Sequence, residues 1–97
     1  SRAYLDTCLF DAAIALANKD PYVIQATGPL SSLDKLAIFE GSTMYSKDKQ
    51  QVTSTVRVSG DKAGGKMDFV AKKENGDWEF EMIKLRLKSG KVIRIVK

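Results

Sequence analysis

The dipeptide Asn75-Gly76 lies between two alternating runs, at residues 66–73 and 78–87. A two-residue type I′ turn needs positive φ at both central positions, and Asn-Gly meets that demand at little cost. The two runs are therefore expected to form an antiparallel hairpin, which commits the C-terminal half of the chain to a sheet. In the first run Met67, Phe69 and Ala71 share one side. In the second, Trp78, Phe80 and Met82 share a side opposite Glu79 and Glu81. The parity then flips, with Ile83, Leu85 and Leu87 apolar and Lys84, Arg86 and Lys88 charged. A one-residue phase slip inside a strand predicts a β-bulge near Met82-Ile83, although a strand covered on both faces reads similarly.

Ser89-Gly90 marks a second tight hairpin, leading into a last strand at about 91–96 whose lysines and arginine guard an exposed edge. Upstream, residues 51–58 alternate, with Val52, Val56 and Val58 on one face and Thr53, Thr55 and Arg57 on a wet one. A further strand is expected at about 33–45 from Leu33, Leu36, Ile38 and Phe39, with a bulge or bend at Gly41. Residues 60–65 read as a turn. The pair Gly64-Gly65 allows positive φ or close backbone approach, and is either a plain hairpin connection or an anion-binding nest.

The N-terminal third is helical. Leu5, Cys8, Leu9, Ala12 and Leu16 recur at helical spacing, and Tyr4, Phe10, Ile14 and Ala17 widen the apolar arc, predicting a buried helix at about 3–18. Cys8 reads as a small core side chain rather than a reactive thiol. Asp20-Pro21 predicts an N-cap and first helical position for a second helix at 21–27. Gly28 is expected as its left-handed C-cap, with Pro29 blocking continuation. The expected fold class is α+β: two N-terminal helices packed on a twisted antiparallel β-sheet of about five strands, in one domain spanning 1–97.

Composition narrows the chemistry. The chain has no histidine and one cysteine, so Ser-His and Cys-His nucleophile pairs, imidazole zinc ligation and an intrachain disulfide are all excluded. No calcium-loop or phosphate-loop spacing occurs, and no catalytic residue, cofactor or metal site is expected. Charge is uneven. Residues 1–40 carry three basic and five acidic side chains, whereas 41–97 carry 13 basic and seven acidic. The basic residues concentrate at Lys84, Arg86 and Lys88 on one strand and at Lys91, Arg94 and Lys97 on and around the next. These rows are either a solvated face or a contact surface for an acidic protein partner or anionic headgroups. Nucleic acid is disfavoured, since exposed interleaved aromatics and a recognition helix are both missing. No apolar run of about 18 residues is present to span a membrane. The chain has no initiator methionine and opens directly into a helix, so a preceding segment is expected.

With the elements placed, the chain resembles the cytochrome c oxidase assembly factor 1 family, itself similar to a small subunit of the mitochondrial presequence translocase. The resemblance rests on Ser1-Arg2-Ala3 opening the first helix and on the proline-started second helix ending in Gly28-Pro29-Leu30. It rests also on Ser59-Gly60 with the glycines that follow, and on the Trp78 strand running to Ser89-Gly90. It implies a non-enzymatic interaction domain, held by a transmembrane segment upstream of Ser1 and lying outside the matrix or cytoplasm. The membrane would be the mitochondrial inner membrane or a bacterial plasma membrane. Implied partners are other proteins of a respiratory or translocase complex, with no cofactor and no small-molecule substrate. The alternative is a small ligand-binding module of cystatin-like or nuclear-transport-factor-like build. Tyr4, Phe39, Phe69, Trp78 and Phe80 would then line a pocket instead of filling a core.

Overall fold

The computed structural model describes residues 2–32 and 42–96, and among these the side chains other than those of residues 2–8, 32, 42 and 43. Two helices, α1 (Arg2–Ala17) and α2 (Pro21–Thr27), precede the strands. These are β1 (Ser31–Ser32), β2 (Ser42–Tyr45), β3 (Gln51–Ser59), β4 (Gly64–Glu74), β5 (Asp77–Leu87) and β6 (Val92–Val96). All pairings are antiparallel, in the order β1-β3-β4-β5-β6, with β2 pairing β3 as well. β1 meets Val58 and Ser59 while β2 meets residues 52–55, so both lie along the side of β3 away from β4. The strand expected at 33–45 is present at 42–45. Its residues 33–41, including Phe39 and the bend at Gly41, lie outside the described residues.

Local chemistry explains the helix ends. Asp20 Oδ1 accepts from the backbone N–H of Tyr22 (2.8 Å) and Val23 (3.4 Å), and Pro21 occupies the first turn where its missing N–H costs nothing. Asn18 joins the end of α1 to the chain entering β1. Its Nδ2 donates to Leu30 O (3.0 Å), and Leu30 N–H donates back to its Oδ1 (2.7 Å). Gly28 has the expected positive φ of 74°, but its ψ of 179° takes it out of the left-handed helical region. The extended ψ sends the chain toward β1 instead of curling back over the helix. α2 is tied to the β3–β4 connection at the same point, where Lys62 N–H donates to Thr27 O (2.9 Å). A Cβ on Gly60 would overlap that Thr27 carbonyl, so the approach is open only to glycine.

The apolar stripe of α1 is rotated from the expected one. Leu9, Phe10, Ala13 and Ala17 are buried, whereas Ala12 is exposed and Leu16 is 36% exposed. Apolar residues run all round this helix, so spacing alone selects no face and the contacts of the folded chain decide. The side chains of Tyr4, Leu5 and Cys8 lie outside the described ones.

In the sheet, Asn75 and Gly76 take φ of 50° and 87°, as the turn between β4 and β5 requires. Val52, Val56 and Val58 of β3, Met67, Phe69 and Ala71 of β4, and Ile83, Leu85 and Leu87 of β5 are buried on one face. They form one cluster with Leu9, Phe10, Ala13 and Ala17 of α1, Val23 of α2, Leu30, and Ile93 of β6. Full burial of each large side chain contributes about 1.5–3 kcal/mol. Phe69 and Phe80 meet edge to face, with ring centroids 5.5 Å apart, so both belong to this packing. Trp78 packs against the margin of the cluster, with Lys73 Nζ 6.0 Å from its ring.

The phase slip in β5 is a bulge. Val70 pairs with Met82 and Ala71 with Phe80, leaving Glu81 as the extra residue. The slip lies one position earlier than the apolar pattern suggests, and Met82 therefore joins Val70 on the opposite face rather than Trp78 and Phe80. A second slip leaves Ile95 extra in β6, between the Ile83–Val96 and Lys84–Arg94 pairs. Gly64 and Gly65 are the first residues of β4 rather than part of the turn, and neither has a positive φ. No backbone anion nest of alternating helical hand is formed there. The glycines are required by close approach instead: a Cβ on Gly65 would overlap the Arg86 carbonyl, and one on Gly64 would sit 2.9 Å from Val58 O.

Candidate functional site

The face of the sheet opposite the buried cluster carries two neighbouring rows rich in charge. Strand register places Arg57 opposite Lys66, Lys66 opposite Arg86, and Arg86 opposite Val92. The neighbouring row runs Thr55, Asp68, Lys84 and Arg94. Alternation produces this face directly, since each of these residues is one position from a buried core residue. Five cations thus share two rows with one carboxylate among the described residues.

That carboxylate is fully engaged. Arg86 donates from Nε to Asp68 Oδ2 (2.6 Å) and from Nη2 to Oδ1 (2.9 Å), while Thr55 Oγ1 donates to Oδ1 (2.5 Å). Partial burial works to raise the Asp68 carboxyl, but the hydrogen bonds from Arg86 and Thr55 and the charges of Arg86 and Lys84 outweigh it and hold the group below its usual value. The same contact raises Arg86.

Of the residues expected to make contact, Lys84, Arg86 and Arg94 lie on this face, and Lys84 and Arg94 are direct cross-strand neighbours. Lys88 follows the end of β5 and lines a depression beside Gly64 and Gly65. Lys91 stands apart in the exposed β5–β6 turn, where its carbonyl accepts from Leu87 N–H (2.9 Å). Lys97 lies outside the described residues. The structure adds Arg57 and Lys66 to the basic surface. Their alternation is visible in the sequence, but their alignment with Arg86 depends on register across three strands. Among the described residues, no three His, Cys, Asp or Glu side chains come together to hold a metal ion, and no helix is long and apolar enough to cross a membrane.

At the far end of β3, Ser46 Oγ donates to Asp48 Oδ1 (2.7 Å) and Gln50 N–H donates to the same oxygen (3.1 Å), lowering the Asp48 carboxyl. These bonds close the β2–β3 turn and are local to it.

Comparison with curated proteins returns no match, and neither does comparison with solved structures. A family model, described as cytochrome oxidase complex assembly protein 1, matches residues 7–97 and so takes in both the basic face and the cluster beneath it. On that match, extending over nearly the whole chain, the protein belongs to the cytochrome oxidase complex assembly protein 1 family.

Proposed function

We propose that this chain is a non-enzymatic protein-interaction domain acting in cytochrome oxidase assembly. The family match over residues 7–97 is the observation that carries the reading. In this reading Lys84, Arg86, Lys88, Lys91 and Arg94 contact an acidic surface on another protein of the oxidase complex. Lys84, Arg86 and Arg94 are supported by the excess of cations on one sheet face and its complementarity to a negative partner, with Lys88 and Lys91 beyond its end. Residues 1–97 act as one domain with the helices packed on a twisted sheet, a view favoured by the buried cluster shared between helices and strands. The full-length protein is anchored in the mitochondrial inner membrane or a bacterial plasma membrane by a segment preceding this chain, and displays the domain outside the matrix or cytoplasm. That part rests on the family alone.

The test is capture of oxidase assembly intermediates by the full-length protein at two salt concentrations. Lys84→Glu, Lys88→Glu and Arg94→Glu are combined while Arg86 is kept to hold Asp68. Capture that weakens with salt and is lost in the triple variant is expected, because surface charges act chiefly on association rate. Capture unchanged by the three reversals would remove the basic face from the contact.

A further inference from the structure

We infer that the notch around Gly64 and Gly65, on the open face of the sheet, is a binding site for a phosphate group. Arg57, Lys66 and Arg86 stand side by side on β3, β4 and β5. Neighbouring strands lie about 4.8 Å apart, so three cationic side chains rise from a line roughly 10 Å long. In the next position along the strands Ser59 faces Gly64, which has no side chain, and Lys88 stands beyond. Two adjoining depressions, of about 220 and 280 Å³, lie here and share Arg57, Gly65 and Lys88.

The opening is a property of the backbone. A Cβ at Gly64 or Gly65 would press on the Val58 or Arg86 carbonyl, so neither position takes a side chain without moving a neighbouring strand. Asp68 lies one row away and is already held by Nε and Nη2 of Arg86 and by Thr55. Lys66 and Lys88 form no ion pair among the described residues, and Arg86 Nη1 makes no hydrogen bond there. Asp68 shows what this face does with a carboxylate: one guanidinium fork satisfies its two coplanar oxygens. A phosphate group presents more oxygens in three dimensions, and donors converging from three strands suit it better. The ammonium groups of Lys66 and Lys88, the free edge of Arg86 and the Ser59 hydroxyl are those donors. The same chemistry is offered by a free phosphate ester and by a phospholipid headgroup.

The experiment follows backbone amide shifts in the ¹⁵N-labelled chain during titration with glycerol phosphate at constant ionic strength. In parallel, sedimentation is measured with phosphatidylcholine vesicles with and without phosphatidylglycerol. Saturable shifts centred on Ser59, Gly64 and Gly65 are expected, weakened about tenfold or more in Lys66→Gln/Lys88→Gln and kept in Lys84→Gln/Arg94→Gln, since two charge-assisted contacts are removed only in the first. Saturation with glycerol phosphate identifies a soluble ester as sufficient. Vesicle binding that needs phosphatidylglycerol and Lys66/Lys88, without saturation by the ester, identifies the headgroup. Shifts spread evenly over both basic rows and indifferent to Lys66→Gln/Lys88→Gln would overturn the site, leaving only general charge attraction. Partner capture is read here with Lys84→Glu/Arg94→Glu, which leaves Lys66 and Lys88 in place, so either idea can fail without the other.

Discussion

Asp68 faces Lys84 directly across the β4–β5 pair, yet its carboxylate is held by Arg86, the diagonal neighbour one row away. Diagonal positions on a sheet are within reach of a long side chain, and the guanidinium fork matches two carboxylate oxygens where an ammonium group does not. The contact leaves Lys84 beside Arg94 with no ion pair to Asp68. It also removes the one negative group that the described residues place in these rows from competition with an external anion.

This pairing predicts a pH dependence. Asp68 has a folded-state value below its ordinary 3.8, so its contribution is present above that value and is lost as pH falls through the lower, folded one. The urea midpoint of the wild-type chain should drop as pH falls below about 4, and Asp68→Asn should reduce that drop. Asp48, also lowered, titrates in the same window, so part of the decline persists in the variant. An Asp68→Asn curve parallel to wild type would mean that the Arg86 contact is absent in solution.

The orientation of α1 is checked by two truncations. Phe10 is 3% exposed and Leu16 is 36% exposed, although both are large apolar residues of one helix. Phe10→Ala should cost about 3–5 kcal/mol, whereas Leu16→Ala should cost well under half as much. Equal losses by denaturant titration would place the helix in a different rotation.

Two glycine substitutions separate strain from overlap. At Gly76, with φ of 87° and open space around the added atom, alanine should cost about 1–2 kcal/mol through conformation alone. At Gly60 the added Cβ meets the Thr27 carbonyl, so alanine must push α2 away from the β3–β4 connection and should cost about 3 kcal/mol or more. Thermal unfolding of the pair gives the order. A milder loss at Gly60 would show that α2 is not held there.

Asn18 makes a reciprocal pair of hydrogen bonds with Leu30. Asn18→Ala should destabilise by about 1–3 kcal/mol, because the Leu30 N–H and carbonyl both lose a partner in a half-buried place. Asn18→Asp keeps the acceptor but sets a carboxylate oxygen against the Leu30 carbonyl, and should recover little. Hydrogen exchange at the Leu30 amide reports the same loss locally, and protection that survives Asn18→Ala would refute the brace.

Features closed within a few residues were legible without coordinates. Asn75-Gly76 can make only a small set of turns, Asp20-Pro21 satisfies its own helix start, and the alternation at 51–58 separates a wet face from a dry one. The basic character of Lys84, Arg86 and Lys88 was equally plain. Alternation also pointed to a slip in β5 or a strand covered on both faces, and the register settles it with Glu81 as the extra residue.

What depends on partners distant in the chain was decided only by the tertiary structure. α1 is apolar all round, so its buried face is set by what meets it and not by its own spacing. The alignment of Arg57, Lys66 and Arg86 needs the register of three strands, and a shift of one residue would send each to the other face. Gly64-Gly65 reads as a turn because glycine is common in turns, but here it admits the backbones of β3 and β5 from either side. Turn and cap chemistry is local and therefore written in adjacent residues. Faces, registers and notches arise from packing between separated segments, where many sequence patterns are compatible with each element and only the assembled sheet chooses among them.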